Sequence, residues 1–462
     1  MESKIVDQIQ VEFWEGLKGL LPQNEVNDFR NSLSHDAVTA IRLHPAKGFN
    51  PFSKIEQFPI LWHPKGFRLT QRPHFSPDPF FHSGAYYVQD PSAMFLAYLL
   101  EEVRSVLPEN PIIGDLCAAP GGKSTIILDF LDGKGLLLSN EIVPKRNAVL
   151  RDNLTKWGFL NVLNSRMETA DLKKCGEVFD LLVVDAPCSG EGMFRKSEAA
   201  RKAWNPDLVK INAERQSKIL QDSWELLKPG GIMIYCNCTM NTIENEGVVK
   251  KLSNSYKLEP LKVAPPVAWN IHYTGMQGIP FFFFFSHRIS GEGMTYSIFQ
   301  KEKKKGEVLS LNSADKLKKL SKRQFENTSR FISSELSKTG DFYQDERGQL
   351  VFLHDQTASI ALHLINKAKA KPLPIGEFRK ELFFPGHYII MSDMLNKDIP
   401  TIQLDIEMAH LFLKKTPFKL STIHSGWAVV EYNGQKLGWV KVHPKGGKFT
   451  NYYPNSLRLI NY

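Results

Sequence analysis

From about residue 104 onward, short apolar runs alternate with stretches of helical spacing. This alternation constrains the fold more than any other feature of the chain. Residues 112–116, 136–139, 161–163, 181–185 and 232–235 read as strands. A turn at 118–122 opens a helix through Phe130, residues 145–157 form a second helix, and residues 207–227 form a third, stopped by Pro229-Gly230-Gly231. Strands joined through helices build parallel units, and a run as apolar as 181–184 suits a sheet covered on both faces. The expected class is therefore α/β, a doubly wound parallel sheet of nucleotide-cofactor type.

In such sheets ligands sit beyond the carboxyl ends of the strands. The run 181–184 ends in Asp185, and Pro187, Ser189 and Gly190 break the strand, so Asp185 and Cys188 are presented where chemistry is usually done. Standing alone, the stretch would also fit a capped loop with a buried free cysteine. Two further strand ends argue against that. The first strand runs into Ala118-Ala119-Pro120-Gly121-Gly122-Lys123 at the start of a helix. Glycines admit close backbone approach, and a helix N-terminus favours an anion. Neither the Gly-x-x-x-x-Gly-Lys of a P-loop nor the Gly-x-Gly-x-x-Gly of a dinucleotide site is present, and the single Gly-Gly suits the carboxylate end of a cofactor. Glu141 closes the second strand, where an acid can take both ribose hydroxyls. Asn164 closes the third and could bond an adenine edge.

The fifth strand runs into Tyr235-Cys236-Asn237-Cys238-Thr239. The fourth and fifth strands are expected neighbours, which delivers Cys188 and Cys238 to one cleft, while Cys236 reads as a buried structural thiol. Two thiols and a carboxyl suit one reaction well. Cytosine C5 is a poor nucleophile, but a thiolate added at C6 makes it enamine-like. A carboxyl at N3 stabilises the adduct, and a second thiol helps remove the C5 proton and release product.

Charge and cysteine usage agree with an acidic partner in a reducing compartment. The 462 residues carry a net charge of +9, which favours nucleic acid over membrane. Five cysteines, few and odd in number, argue against a disulfide framework, and Cys236-x-Cys238 lacks the second pair of a zinc ribbon, so no metal is expected. The first residues, Met-Glu-Ser-Lys-Ile-Val-Asp, contain no apolar signal region, and the run 281–285 is too short to span a bilayer. A cytoplasmic protein without membrane contact is expected, and a monomer.

On either side of the α/β region the pattern differs. Residues 2–33 carry apolar positions at helical spacing. Residues 38–90 are irregular, with short strands at 40–43 and 67–69, and Arg42, Lys54, Lys65, Arg68 and Arg72 interleave with aromatics in a way that suits phosphates. Residues 301–323 are Lys-rich and read as a basic linker. Near the C-terminus, Asn433-Gly434 joins two alternating runs into a hairpin. Lys436, Lys441, Lys445, Lys448 and Arg458 sit there among Trp439, Phe449, Tyr452 and Tyr453, a mixture suited to stacked bases and phosphates of RNA. The expected division is an N-terminal RNA-positioning extension (1–103), the sheet domain (104–304), the basic linker (305–324) and a C-terminal RNA-binding region (325–462).

The segments 117–124 (Cys-Ala-Ala-Pro-Gly-Gly-Lys-Ser) and 185–192 (Asp-Ala-Pro-Cys-Ser-Gly-Glu-Gly), and Cys238-Thr239 followed by Glu244-Asn245-Glu246, resemble the motifs of the NOL/NOP/Sun family of RNA cytosine-5 methyltransferases. Residues 84–94 and Gly291-Glu292-Gly293 resemble its flanking motifs, so the likeness covers roughly residues 40–300. The Gly-Trp-Val-Lys-Val end and Asn451-Tyr452-Tyr453-Pro454 resemble the tail of the bacterial RsmF-type subgroup, which acts on small-subunit ribosomal RNA. The resemblance implies a Rossmann-like methyltransferase sheet with an N-terminal α+β extension and a C-terminal α+β region ending in a PUA-like β-domain. It implies S-adenosylmethionine as methyl donor, Cys238 as nucleophile, Cys188 as release thiol, and Asp185 and Lys123 in the catalytic centre. The cofactor set it implies is Cys117, Ala118, Ala119, Pro120, Gly121, Gly122, Lys123, Glu141, Arg146, Asn164 and Asp185. The chain departs from the family pattern at Cys236-Asn237, where Ser-Thr is usual, and at Asn164, where Asp is common. Two other readings are a transfer-RNA cytosine-5 methyltransferase and a largely non-catalytic RNA-binding ribosome-assembly factor. An exocyclic-amine methylase would favour Asp-Pro-Pro-Tyr over Asp185-Ala186-Pro187-Cys188.

Overall fold

The computed structural model describes residues 5, 8–303, 317–444 and 447–460. Two helices, α1 (Val11–Leu17) and α2 (Gln23–Ser32), open the described chain, as the helical spacing predicts. Their apolar faces do not make a domain of their own. Phe13 packs edge-on against Phe194 and Trp204, and Phe29 against Phe285, so both helices are fastened to the central domain.

A four-stranded antiparallel sheet follows, β1 (Thr39–Leu43), β2 (Gln57–Pro59), β3 (Gly66–Leu69) and β4 (Tyr86–Val88), in the order β2-β3-β1-β4. Arg42 lies on its central strand and corrects one sequence expectation: it faces no solvent and holds no phosphate. It is fully buried, pairs with Asp129, donates to Thr125 Oγ1 and to Gln89 Oε1 at 3.1 Å, and lies 4.6 Å from the Trp157 ring. Lys54, Lys65 and Arg72 are exposed.

The central sheet runs through β5 (Ile112–Asp115), β6 (Leu136–Asn140), β7 (Val162–Ser165), β8 (Phe179–Asp185) and β9 (Leu227–Asn237), all parallel, in the order β9-β8-β5-β6-β7. Helices α3 (Gly122–Leu131), α4 (Pro144–Trp157) and α5 (Pro206–Trp224) make the crossovers. Two details differ from the sequence reading. Helix α5 stops at Trp224, and Pro229-Gly230-Gly231 lies inside β9 instead of ending the helix. Phe179 pairs with Leu227 and Leu181 with Ile232, so residues 228–231 bulge out opposite Asp180. The sheet is also not purely parallel: β10 (Leu258–Pro260), β11 (His272–Met276), β12 (Ile279–Phe284) and β13 (Met294–Lys301) extend it antiparallel beyond β9. The phenylalanine run 281–285 is buried in β12 and just after it. No helix among the described residues is long and apolar enough to cross a membrane.

Residues 304–316 of the expected basic linker lie outside the described residues, as does Lys445 of the C-terminal cation set. The rest of the linker stretch is structured. Strand β14 (Lys318–Lys319) joins a second antiparallel sheet with β15 (Gly340–Gln344) and β16 (Gln349–His354). The chain then returns to the central domain. Helix α6 (Ala358–Lys367) leads to β17 (Lys371–Pro372), which pairs antiparallel with Asn164 and Leu163 at the far edge of the central sheet. Two further strands, β18 (Gly376–Arg379) and β19 (Leu382–Pro385), complete the second sheet.

Helix α7 (His387–Met391) packs on the end of α4, where Tyr388 donates its hydroxyl to Phe159 O. The last sheet holds β20 (Thr401–Gln403), β21 (Gly426–Tyr432), β22 (Gln435–Val442) and β23 (Phe449–Asn451). Asn433 and Gly434 both take positive φ, 45° and 75°, the geometry the Asn-Gly hairpin predicts. Here too a sequence expectation is corrected. Trp439 and Tyr453 are each 1% exposed and serve the core; they present no face on which a base could stack. Trp439 donates to Gly386 O at 2.9 Å, and Tyr453 shares a hydrogen bond with His82 Nδ1 at 2.7 Å, which ties this sheet to the N-terminal region.

Gly158 closes α4 with φ +82°, and a Cβ there would stand 2.2 Å from Met391 O. Gly158→Ala is expected to destabilise by more than the ~1–2 kcal/mol of a left-handed L-residue, because α7 must move away. A lowered melting temperature with faster proteolysis near residue 390 is the expected outcome; an unchanged melting curve would contradict it.

Candidate active site

Strand order in the central sheet reverses between β5 and β8: from β5 the chain proceeds outward to β6 and β7, and from β8 outward to β9. A crevice opens at such a switch point, outside the carboxyl ends. Of the residues singled out at those strand ends, Cys117 and Glu141 line a cavity there, and Cys188 and Cys238 meet in the loops after β8 and β9.

Asp185 is in register with Cys236 on the neighbouring strand. Cys188 follows Asp185 by three residues and Cys238 follows Cys236 by two, so parallel pairing brings the two loops side by side, with the Sγ atoms 3.0 Å apart. Both thiols are partly exposed, whereas Cys236 is fully buried, as its structural reading expects. The contact with Cys238, burial, and the carboxylates of Glu244 and Asp185 push the Cys188 thiol well above the ordinary range. A neutral Cys188 can donate its S–H to Cys238 Sγ.

Lys123, at the start of α3, bonds Asp185 Oδ2 at 2.7 Å. Burial pulls its amine down, but the facing Asp185 carboxylate more than offsets this, so the amine stays charged to well above its ordinary range. Asp185 retains 31% side-chain exposure, so the pair can meet a ligand. The turn before α3 depends on Gly121, whose φ of +110° an L side chain rarely adopts. Helix α4 holds the turn from behind: Arg146 donates to Ala119 O at 3.0 Å and Asn153 to Pro120 O at 2.8 Å. Asp115, fully buried at the end of β5, accepts from Ser124 Oγ at 2.6 Å through Oδ2, while its Oδ1 is buried without a partner among the described residues. Burial raises its carboxyl to about 7.

Glu141 lies just beyond β6 with a side chain only 3% exposed. One oxygen accepts from Val143 N at 2.9 Å; the other has no hydrogen-bond donor among the described residues, only the Arg146 guanidinium at 3.4 Å. An open acceptor in this position suits a pair of hydroxyls. It faces a cavity of about 440 Å³ that Leu116, Cys117, Glu141, Arg146 and Pro187 line together with Glu168 and Thr169.

Asn164 is placed apart from this cavity. Its amide donates to Ser139 O at 3.2 Å, and β17 pairs along it, so it does not line the cavity; Glu168, four residues on, does. Sequence reasoning also missed the wall that α5 supplies through Arg215, Lys218, Ile219 and Asp222. Their spacing puts them on one helix face, but only the tertiary structure turns that face toward the strand ends. A larger cavity, about 730 Å³, opens between the N-terminal sheet, the end of α4, α7 and the β21–β22 turn. None of the expected site residues lines it, and its Lys47 amine bonds the carbonyls of Ser83 and Lys156. The smaller cavity is the one lined by expected cofactor residues, Cys117, Glu141 and Arg146; Asp185, Lys123 and the two facing thiols are not among its lining residues.

Comparison with known proteins agrees with this organisation. The family described as 16S rRNA methyltransferase RsmB/F matches residues 106–300, the N-terminal domain of 16S rRNA methyltransferase RsmF matches 9–91, and the methyltransferase RsmF PUA domain matches 399–459. Ribosomal RNA small subunit methyltransferase F of Pectobacterium carotovorum is 32% identical over 260 residues, 52% of each chain. Its namesake from Escherichia fergusonii is 36% identical over 179 residues, 38% of this chain and 36% of that one. The chain thus spans about half the length, or less, of the relatives it matches. Among solved structures, NSun6 from Pyrococcus horikoshii superposes with a TM-score of 0.53 at 19% identity, over 65% of this chain and all of that one. A methyltransferase homolog from the same organism gives 0.51 at 22%, over 63% of this chain and all of that one. These two likenesses are of fold. The three family matches follow one another along the chain in the order RsmF N-terminal domain, RsmB/F methyltransferase, RsmF PUA domain, so the chain is similar to RsmF-type 16S rRNA methyltransferases in each of these regions.

Proposed function

We propose that the protein methylates C5 of cytosine in RNA of the small ribosomal subunit, with S-adenosylmethionine as methyl donor. The observation that carries the reading is the pair of thiols 3.0 Å apart beside the Lys123–Asp185 pair at one switch point. Binding thiols alone would not need a charged carboxylate–amine pair next to them, and a cofactor fold alone would not need two thiols. The donor fits the residues present: the open oxygen of Glu141 suits ribose hydroxyls, and the glycine turn at the start of α3 suits a carboxylate. S-adenosylmethionine supplies an electrophilic methyl group.

The chain's own residues do the rest. Cys238 adds to C6 and raises electron density at C5. Asp185, backed by the Lys123 ammonium at 2.7 Å, faces N3 and stabilises the proton that N3 holds in the adduct. Cys188 assists release through its 3.0 Å contact with Cys238: it gives its S–H proton to Cys238 Sγ as the C6–S bond breaks and takes the C5 hydrogen as a proton in exchange, so that C5=C6 re-forms and product leaves. The flanking regions supply RNA contacts: Arg68 stacks over Phe58 at 4.5 Å, Arg72 lies 5.7 Å from Phe75, and exposed Lys441 lies 5.9 Å from the Trp427 ring. In this reading residues 1–103 and 325–462 are RNA-positioning regions around a catalytic domain of residues 104–304. The free thiols suit a cytoplasmic setting. Bisulfite mapping of ribosomal and transfer RNA from a deletion strain tests the substrate: a lost 5-methylcytosine in small-subunit RNA supports the reading, and a loss confined to transfer RNA moves the target.

The two thiols separate in a denaturing gel. Cys238→Ala is expected to abolish turnover and any covalent RNA link. Cys188→Ala is expected to accumulate a nuclease-sensitive protein–RNA adduct, because addition proceeds and release does not; the adduct in the Cys238 variant instead would reverse the roles. Glu141→Ala is expected to weaken S-adenosylmethionine binding by roughly 10-fold or more, the size of a lost charge-assisted hydrogen bond worth about 1.5–3 kcal/mol. Unchanged affinity by calorimetry would remove Glu141 from the site. Lys441→Gln with Lys448→Gln is expected to lower the slope of RNA affinity against salt by about 1–2, with S-adenosylmethionine affinity unchanged; an unaltered slope would exclude this face from RNA contact.

A further inference from the structure

We infer that Glu191 and Glu244 are positioning residues that form a reciprocal clasp, each carried by one cysteine loop and gripping the other, and that this clasp sets the spacing of Cys188 and Cys238. Glu191 follows Cys188 on the loop after β8. Its Oε2 accepts the backbone N–H of Met240 at 2.7 Å and of Asn241 at 3.0 Å, both on the Cys238 loop. Glu244 follows Cys238 on the loop after β9. Its Oε1 accepts the backbone N–H of Ser189, next to Cys188, at 2.9 Å. The exchange thus runs both ways. Gly192 N adds a direct backbone bond to Cys238 O at 2.8 Å.

One side chain joins the two carboxylates. Asn241 Nδ2 donates to Glu191 Oε1 at 2.7 Å and to Glu244 Oε2 at 2.8 Å. Trp204 Nε1 also donates to Glu191 Oε1 at 3.1 Å, and Gln216 Nε2 to Glu244 Oε1 at 2.8 Å. Both carboxylates are essentially buried, 1% and 0% exposed. Two buried acids this close are costly to keep unless every oxygen meets donors; here every oxygen does, and the two loops supply most of those donors, with Trp204 and Gln216 adding one each. Neither carboxylate is among the residues to which a role in the chemistry has been given. What they determine is the relative placement of two loops that the sheet alone leaves free beyond Asp185 and Asn237.

The catalytic consequence rests on the cytosine-5 reading; the geometric one does not. Glu191→Gln and Glu244→Gln keep the shape but turn one acceptor oxygen into a donor that faces N–H groups. The full-length protein is tested with a trivalent phenylarsenical, which bridges two thiols only when they are adjacent. Wild type is expected to bind it one to one, and each variant at least 10-fold more weakly. For turnover on RNA, each variant is expected to lose on the order of 100-fold in kcat, the effect of misplacing a reacting group by about an ångström, with KM and S-adenosylmethionine affinity nearly unchanged. Trp204→Phe, which removes a single donor and keeps the ring packing, is expected to fall between, and it preserves the test if a glutamine variant does not fold. Folded variants with wild-type arsenical affinity and wild-type kcat would overturn the clasp. A wild-type protein that transfers no methyl group to cytosine-containing RNA would overturn the functional reading while the arsenical result still decides the clasp.

Discussion

The parallel register of β8 against β9, Asp185 opposite Cys236, is the constraint on which the candidate site depends. Parallel strands end on the same side of a sheet, so whatever follows them emerges in one place. A short loop after each strand then suffices to bring two thiols within 3.0 Å and to place one of them next to a carboxylate paired with Lys123. The bulge at residues 228–231 takes up extra chain at the start of β9, so that its downstream end still meets β8 in this register. Shifting the pairing by one residue would turn the alternating side chains to the opposite faces.

Around this switch point the flanking regions are built in as walls. Arg42 carries a charge from the N-terminal sheet into the core, where Asp129, Thr125 and the Trp157 ring receive it behind the glycine turn. On the opposite side, the chain that leaves the central domain after β13 comes back to pair β17 with β7, and Ser165 donates to Ala368 O at 2.7 Å. That pairing covers what would otherwise be an exposed edge strand. Flanking regions attached in this way have fixed orientations relative to the thiols.

Much of this was legible beforehand because the signals are local. Alternation of short apolar runs with helical spacing specifies parallel units; Asn433-Gly434 specifies a tight hairpin; and apolar run, Asp185, then Pro187 specifies a strand ending in an exposed loop. Where the reading failed, the missing information was non-local. Arg42 looks in sequence like its exposed neighbours Lys54 and Lys65, and only the half-buried Asp129, 87 residues on, offsets the burial of its charge. Trp439 and Tyr453 look like stacking residues until their partners, Gly386 and His82, are seen to lie in other regions. Asn164 ends the expected strand but is turned to Ser139 and covered by β17, a strand of two residues too short to announce itself.

By itself the sequence determined which thiols, carboxylates and amines stand at which strand ends, because a side chain's chemistry and the loop after a strand are properties of a few consecutive residues. Only the tertiary structure decided which groups meet: that Lys123 reaches Asp185 across 62 positions, that Glu191 and Glu244 exchange carboxylates between the cysteine loops, and that one helix face of α5 closes the cavity. Those pairings depend on strand order and on the burial of charge. Both are settled by the cost of leaving polar groups without partners in the core, which is paid or avoided only when the whole chain has packed.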